Sequence, residues 1–209
     1  MTDQSAAQAM WEQRYSVDDY VYGTEPNSFL RGHVAVLPMG DVLCLAEGEG
    51  RNAVFLATTG RRVSSVDLTG AGVAKTLRLA VAAGVSVDAV AGDLAHYDLG
   101  VDRWDAVVSI FAHMPSPVRV DLHRRVVASL RPGGVFVLEA YTPDQVGRGT
   151  GGPASADLMM TLGGLRSELG PLEFAHAEEL EREIVEGTHH TGLGSVVQVI
   201  ARKDLIPTR

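Results

Sequence analysis

The chain has 209 residues, 45% of them hydrophobic and 21% charged, with a formal net charge of −8. That length buries one substantial core and is too short for two, so the reading is a single domain over 1–209, with 1–38 as an N-terminal cap or arm and 39–209 as an α/β core. The acidic balance opposes tracking along a phosphate backbone, no apolar run reaches the roughly 18 residues of a membrane span, and the N-terminus lacks a signal-peptide pattern, so neither nucleic acid nor membrane is an expected partner and a cytoplasmic location is.

In chain order, residues 4–15 can form a helix. Residues 18–29, with Tyr20, Tyr22, Gly23 and Pro26, read either as a cap over a site or as an arm covering apolar surface. Val-, Leu- and Ile-rich runs at 42–46, 62–67, 86–91, 104–110 and 134–141 predict strands, and the stretches 50–59, 69–83 and 117–130 between them predict helices, the last stopped by Pro132, Gly133 and Gly134. Strand alternating with helix implies a largely parallel, doubly wound sheet covered on both faces. Residues 142–153 hold two prolines and four glycines, a loop long enough to suggest function. A helix near 154–168 follows, and 172–185 with 194–202 reads as an antiparallel pair closing the sheet. The single cysteine, Cys44, sits in the first apolar strand and reads as a packed thiol.

The strongest motif is VLCLAEGEGRNA over 42–53, an apolar strand entering a Gly-rich turn and then a helix. Gly48 and Gly50 let backbone approach a ligand closely, and the helix start at Arg51 and Asn52 presents free N–H groups. Alone, this fits a nucleotide, a nicotinamide cofactor or a tight turn. Asp67 follows the glycines by about 20 residues, at a strand end where a carboxylate accepts ribose hydroxyls. After the third strand come Gly92, Asp93 and Leu94, of which Asp93 is suited to an adenine amino group and Leu94 to the ring face. Trp104 and Asp105 open the fourth strand, which ends at Ile110.

These elements, in this order and closed by Arg131, Pro132, Gly133 and Gly134, resemble the class I methyltransferases that bind S-adenosylmethionine, across roughly 40–205. Trp11 to Tyr15, Tyr22 to Asn27 and Gly50 to Ala53 resemble more narrowly the tellurite-resistance and thiol methyltransferase branch. The resemblance implies a seven-stranded mixed sheet of order 3-2-1-4-5-7-6 with strand 7 antiparallel, S-adenosylmethionine as cofactor and S-adenosylhomocysteine as its product. The implied cofactor set is Glu47, Gly48, Gly50, Arg51, Asn52, Asp67, Leu68, Gly92, Asp93, Leu94 and Ile110. The family's usual Asp-Leu-Gly-Cys-Gly is replaced here by Cys44, Leu45, Ala46, Glu47 and Gly48, which suggests that Glu47 serves the cationic methionine end of the cofactor.

Methyl transfer from a sulfonium needs alignment and exclusion of water, and a soft ionised nucleophile needs no base. Candidate catalytic residues are His113, just past the fourth strand, and Glu139 with Tyr141, two apart and so on one face of the fifth. Glu139 in an apolar run is costly to bury without a partner. Tyr20, Tyr22, Arg148, His189 and His190 are candidates for the substrate mouth. Neighbouring histidines without an acid or cysteine at ligand spacing imply no metal. The expected activity is methyl transfer to a small-molecule acceptor, a thiol or a tellurium or selenium oxyanion, by a monomer or homodimer. Alternatives are an O- or N-methyltransferase with His113 or Glu139 as base, a non-catalytic cofactor-binding module, and a nicotinamide oxidoreductase, for which no Tyr and Lys pair at helical spacing is present.

Overall fold

Seven strands form one sheet in a computed structural model that describes residues 2–187 and 190–205. The strands are β1 (Asp41–Leu45), β2 (Arg62–Asp67), β3 (Asp88–Ala91), β4 (Trp104–Ile110), β5 (Leu130–Tyr141), β6 (Glu173–Glu186) and β7 (His190–Arg202). Their order is β3-β2-β1-β4-β5-β7-β6, with β7 antiparallel to both neighbours and the other described pairings parallel, as the resemblance implied.

Burial on both faces explains the unbroken apolar runs. Successive side chains of a strand point to opposite faces. Leu43, Leu45, Val107, Phe136 and Leu138 accordingly join one core, with Leu122 and Val126 of helix α5 (Ser116–Ser129) and Leu165 of α6 (Leu162–Glu168). Their neighbours Val42, Cys44, Ala106, Val108, Val135 and Val137 join the other, with Leu30 of α2 (Ser28–Gly32), Leu56 of α3 (Arg51–Thr58) and Ala80 of α4 (Gly70–Ala82). The N-terminal helix α1 (Thr2–Tyr15) packs against α4. No helix among the described residues is long and apolar enough to cross a membrane.

Three boundaries differ from the sequence reading. The expected turn at 131–134 lies inside β5, whose register slips between Trp104 and Ala106; there Arg131 bonds Asp105 and Asp41, clipping the sheet at the end away from the Gly-rich turn. The helix expected over 154–168 shortens to α6, because Met159 and Met160 are buried in extended backbone and the Met160 N–H donates to the Tyr141 carbonyl. β7 starts at His190 rather than 194, so its hairpin with β6 is tight.

Candidate active site

The C-terminal ends of β1, β2, β4 and β5 converge where an open α/β sheet places its ligand. β1 enters the turn through Ala46 (φ 47°), and Gly48 (φ 64°) and Gly50 (φ 96°) reverse the chain into α3. A Cβ on Gly50 would lie 2.6 Å from the Thr76 backbone of α4, so the glycine permits close packing of the two helices. A Cβ on Gly48 would lie 2.7 Å from the Tyr15 hydroxyl, which therefore roofs the turn. A shallow hollow of about 360 Å³ lies alongside, between α1 (Met10, Gln13, Arg14) and Val17 with Val21, at the seam of the N-terminal segment rather than on the turn itself.

Asp67 is buried and holds the turn in shape. Its Oδ2 accepts the Gly48 N–H at 2.8 Å, and its Oδ1 accepts the Thr69 N–H and hydroxyl at 2.9 and 2.7 Å. Burial, with the Asp67 charge next, holds the Tyr15 phenol well above its ordinary pKa, so it stays protonated. Gly92 donates its N–H to the Asp67 carbonyl, and Asp93 closes an Asx turn on the Ala95 N–H at 2.9 Å. Leu94 and Ile110 are both core side chains, which corrects the expectation that Leu94 offers itself to a ring. Leu68 is half-buried, and its carbonyl accepts from Gln8.

Glu47 does not point to a cofactor. Its Oε1 accepts the N–H groups of Asn52 and Ala53, each at 2.8 Å, capping α3 whose first donors have no intrahelical partner. Burial pushes its carboxyl up to about 7 from an ordinary 4.5, against those hydrogen bonds and the Arg51 charge. Between these values the folded chain holds a proton that the unfolded chain has released, so this group's contribution is greatest below pH 4.5 and is lost as pH rises to about 7. Glu47→Gln keeps the accepting oxygen and removes the titration. The variant is expected to be about 1–2 kcal/mol more stable than wild type at pH 8, less than full linkage because the side chain is partly exposed, and no more stable at pH 4; urea melts at both values check this.

Behind the turn lies a buried polar network that draws in the N-terminal segment. Glu139 is fully buried, and its carboxylate accepts from Arg182 Nε and Nη2 (both 2.7 Å), Gln198 Nε2 (2.6 Å) and Asn27 Nδ2 (2.5 Å). Glu186 accepts from Asn27, Arg182 and Arg51 at 2.9, 2.9 and 2.6 Å. Burial disfavours the Arg182 charge, but the Glu139 and Glu186 carboxylates outweigh it and raise its pKa. Glu139 is thus saturated with donors and serves as the anchor of an ion network, which corrects its reading as a base. Asn52 Oδ1 accepts the Asn27 N–H at 2.9 Å, and Arg51 Nη1 is buried without a partner. A second tie is Glu49, whose carboxylate accepts the Val21 and Tyr22 N–H groups and pairs with buried Lys75 at 2.6 Å.

The remaining candidates separate into two groups. Phe111, His113, Tyr141 and His190 form one cluster of rings: Phe111 stands 4.7 Å from Tyr141 and 4.8 Å from His190, and His113 stacks on Tyr141 at 5.6 Å and 17°. Tyr22 joins through His190 at 4.7 Å, with its hydroxyl accepting from Arg14. Burial brings His113 down to about 4, so its imidazole is neutral at physiological pH. Tyr20 and Arg148 stand apart from this cluster. The Tyr20 hydroxyl donates to the Lys75 carbonyl on α4, and Arg148 pairs with Glu181 and donates to the Asp144 carbonyl, so the long loop's cation is already engaged. His189 lies outside the described residues. Among the described residues no group of three His, Cys, Asp or Glu side chains stands close enough to hold a metal ion.

Glu49, Lys75, Asn27, Arg182, Glu186 and Phe111 were not expected from sequence. Only the Glu-containing turn itself hinted at Glu49. Phe111 is a non-glycine residue at φ 53°, a conformation that only the folded surroundings enforce.

Residues 42–134 match the family described as a methyltransferase domain. No curated protein matches the chain in sequence. Among solved structures, TehB from Haemophilus influenzae superposes with a TM-score of 0.70 at 17% identity, covering 94% of this chain and 67% of that one. A magnesium protoporphyrin IX methyltransferase from Synechocystis PCC 6803, solved with bound SAH, gives 0.68 at 18%, covering 97% and 100%. A 1,6-didemethyltoxoflavin-N1-methyltransferase from Burkholderia thailandensis, solved with bound 1,6-didemethyltoxoflavin and S-adenosylhomocysteine, gives 0.63 at 22%, covering 96% and 87%. At these identities the likeness is one of fold. The sheet order is that of a Rossmann-like fold, and residues 42–134, which hold the Gly-rich turn, are similar to a methyltransferase domain.

Proposed function

We propose that the chain transfers a methyl group from S-adenosylmethionine to a small soft nucleophile, a thiol foremost, in the cytoplasm, as one unit in which 1–38 caps the 39–209 core. The residues at the strand ends fit this cofactor. Gly48 and Gly50 give a turn without Cβ atoms, Asp67 and Asp93 offer carboxylates at the ends of β2 and β3, and Arg51 Nη1 is a buried donor suited to an amino-acid carboxylate. When bound, the cofactor supplies a sulfonium-borne methyl group. Tyr15 must leave the face of Gly48 for a ligand to approach that backbone, so the cap opens or shifts on binding.

The observation that carries the soft-nucleophile reading is that neither candidate is a strong base with a free site to take a proton. His113 is held near 4, and the Glu139 carboxylate already accepts four hydrogen bonds. A thiol ionises near neutrality unaided, whereas an alcohol needs a base to take its proton. The likeness of Trp11 to Tyr15 and of Gly50 to Ala53 to the thiol and tellurite-resistance branch supports the same reading.

Calorimetric titration with S-adenosylhomocysteine, with NADH in parallel, tests the cofactor. Saturable binding of the former alone is expected; preference for NADH overturns the assignment. With a thiol acceptor, His113→Gln is expected to slow turnover by less than about tenfold, and the pH–rate profile should carry no limb at the ordinary histidine value of 6.5. A loss of about 10² to 10⁴-fold would instead make His113 the base of an O- or N-methyltransferase.

A further inference from the structure

The ring cluster carries three local costs at one place. The Tyr141 hydroxyl and His113 Nε2 are both buried without a partner. A buried polar atom without a hydrogen bond loses its hydration and gains nothing in return. Phe111, two residues before His113 and against both rings, is held at φ 53° by its N–H donating to the Glu139 carbonyl at 2.7 Å. Strained backbone and unmet buried polar atoms concentrate where a ligand completes the site.

The chemistry of these atoms describes the ligand. His113 Nδ1 lies 2.9 Å from the Leu158 carbonyl, which can only accept, so Nδ1 carries the proton and Nε2 is an acceptor. A guest must therefore donate an N–H, O–H or S–H to Nε2, while the Tyr141 phenol, kept protonated by burial, can donate to an acceptor atom on the guest. His113 and Tyr141 are within 17° of parallel and Phe111 and Tyr141 within 32°, while His190 stands edge-on to Phe111 and Tyr141 at 71° and 87°, so the cluster offers both ring faces and ring edges. Aromatic faces so arranged favour a planar guest. Charge is balanced behind the rings: Arg51 is paired with Glu186, and Arg182 with Glu139 and Glu186. Arg14 lies over the Trp11 ring at 4.6 Å. Among the described residues each of these cations is already paired with a carboxylate or stacked on a ring, and the spare Arg51 Nη1 is the donor assigned above to the cofactor's carboxylate, which leaves none for an oxyanion.

We propose that the methyl acceptor is a thiol borne on a planar heteroaromatic ring with a donor–acceptor edge, taken in its uncharged form among Phe111, His113, Tyr141 and His190. This rests on the methyl-transfer reading and deepens it by naming the acceptor class, with an aliphatic thiol or an oxyanion as the competing outcomes.

The test is calorimetric titration of the full chain, with and without S-adenosylhomocysteine, using three probes at neutral pH: benzimidazole (planar, one N–H and one acceptor nitrogen), cyclohexanethiol (soft, not planar) and selenite (an oxyanion). Benzimidazole is expected to bind at least about tenfold more tightly than either other probe, a difference of about 1.4 kcal/mol. Phe111→Ala and Tyr141→Phe should each weaken benzimidazole about tenfold with little effect on S-adenosylhomocysteine. Phe111→Leu, which keeps apolar bulk without a planar face, should give a similar loss and serves if the alanine variant folds poorly. Equal or tighter binding of selenite or cyclohexanethiol, no binding of benzimidazole, or indifference to both Phe111 substitutions overturns the proposal. Failure of S-adenosylhomocysteine to bind speaks against the cofactor assignment, and the probe ranking without it still decides the acceptor class.

Discussion

Glu139→Ala is expected to destabilise the protein by about 3–5 kcal/mol, the usual cost of removing one partner of a buried ion pair. The carboxylate is fully buried and receives four donors, two from Arg182 and one each from Gln198 and Asn27. Truncation leaves all three side chains facing a void, with Glu186 as the remaining carboxylate at 2.9 Å from Arg182. For a chain of this size the loss corresponds to a melting temperature lower by roughly 10 °C. Because Asn27 belongs to the N-terminal segment, the same substitution should speed proteolysis within 16–27 before global unfolding. Glu178→Ala, on the exposed side of β6, is the control, with an expected change within about 0.5 kcal/mol. A Glu139→Ala loss below about 1 kcal/mol would mean that Arg182 swings out past the sheet edge and that the network does not hold the cap.

How far the sequence could be read depends on the range of the interaction. The Gly-rich turn and Asp67 followed from local spacing, because a strand–turn–helix unit and a period-2 alternation are written within a few residues, whereas the strand order came only through the family resemblance. Glu139 was legible only as a cost: its apolar flanks demanded a partner, but Asn27, Arg182 and Gln198 come from three distant segments and no local pattern joins them. Glu47 was misread although its true targets are close, the N–H groups five and six residues on. An acid just before a helix start is itself a capping signal, and weighing it would have found them. Tyr20, Tyr22 and Arg148 look alike in sequence as mobile polar residues near a site. Only the fold sends Tyr20 to α4 and Arg148 to Glu181 while leaving Tyr22 against the ring cluster.

Asp67→Ala is expected to lower S-adenosylhomocysteine affinity by about 10²-fold or more. Hydrogen bonds to a charged acceptor contribute about 1.5–3 kcal/mol each, and a ribose brings two hydroxyls, so losing both removes enough to exceed 2.7 kcal/mol, the equivalent of that factor. The carboxylate has about four acceptor positions, of which the Gly48 N–H, the Thr69 N–H and the Thr69 hydroxyl occupy three. A ribose therefore competes with an internal donor, and the Thr69 hydroxyl, whose oxygen caps α4 by accepting the Gly72 N–H, can turn its hydrogen away from Asp67. This makes Thr69→Val informative: it removes the competing donor, and should leave affinity within about threefold or raise it, while Asp67→Asn, with one accepting oxygen, should fall between wild type and alanine. The alternative is that Asp67 acts only by shaping the Gly48 turn, in which case Asp67→Ala would lower the melting temperature of the free protein in proportion to its binding loss, and Asn, which can still accept from Gly48, would restore both. Affinity unchanged in Asp67→Ala but lost in Asp93→Ala would move the ribose contact to the end of β3 and leave Asp67 as a purely structural carboxylate.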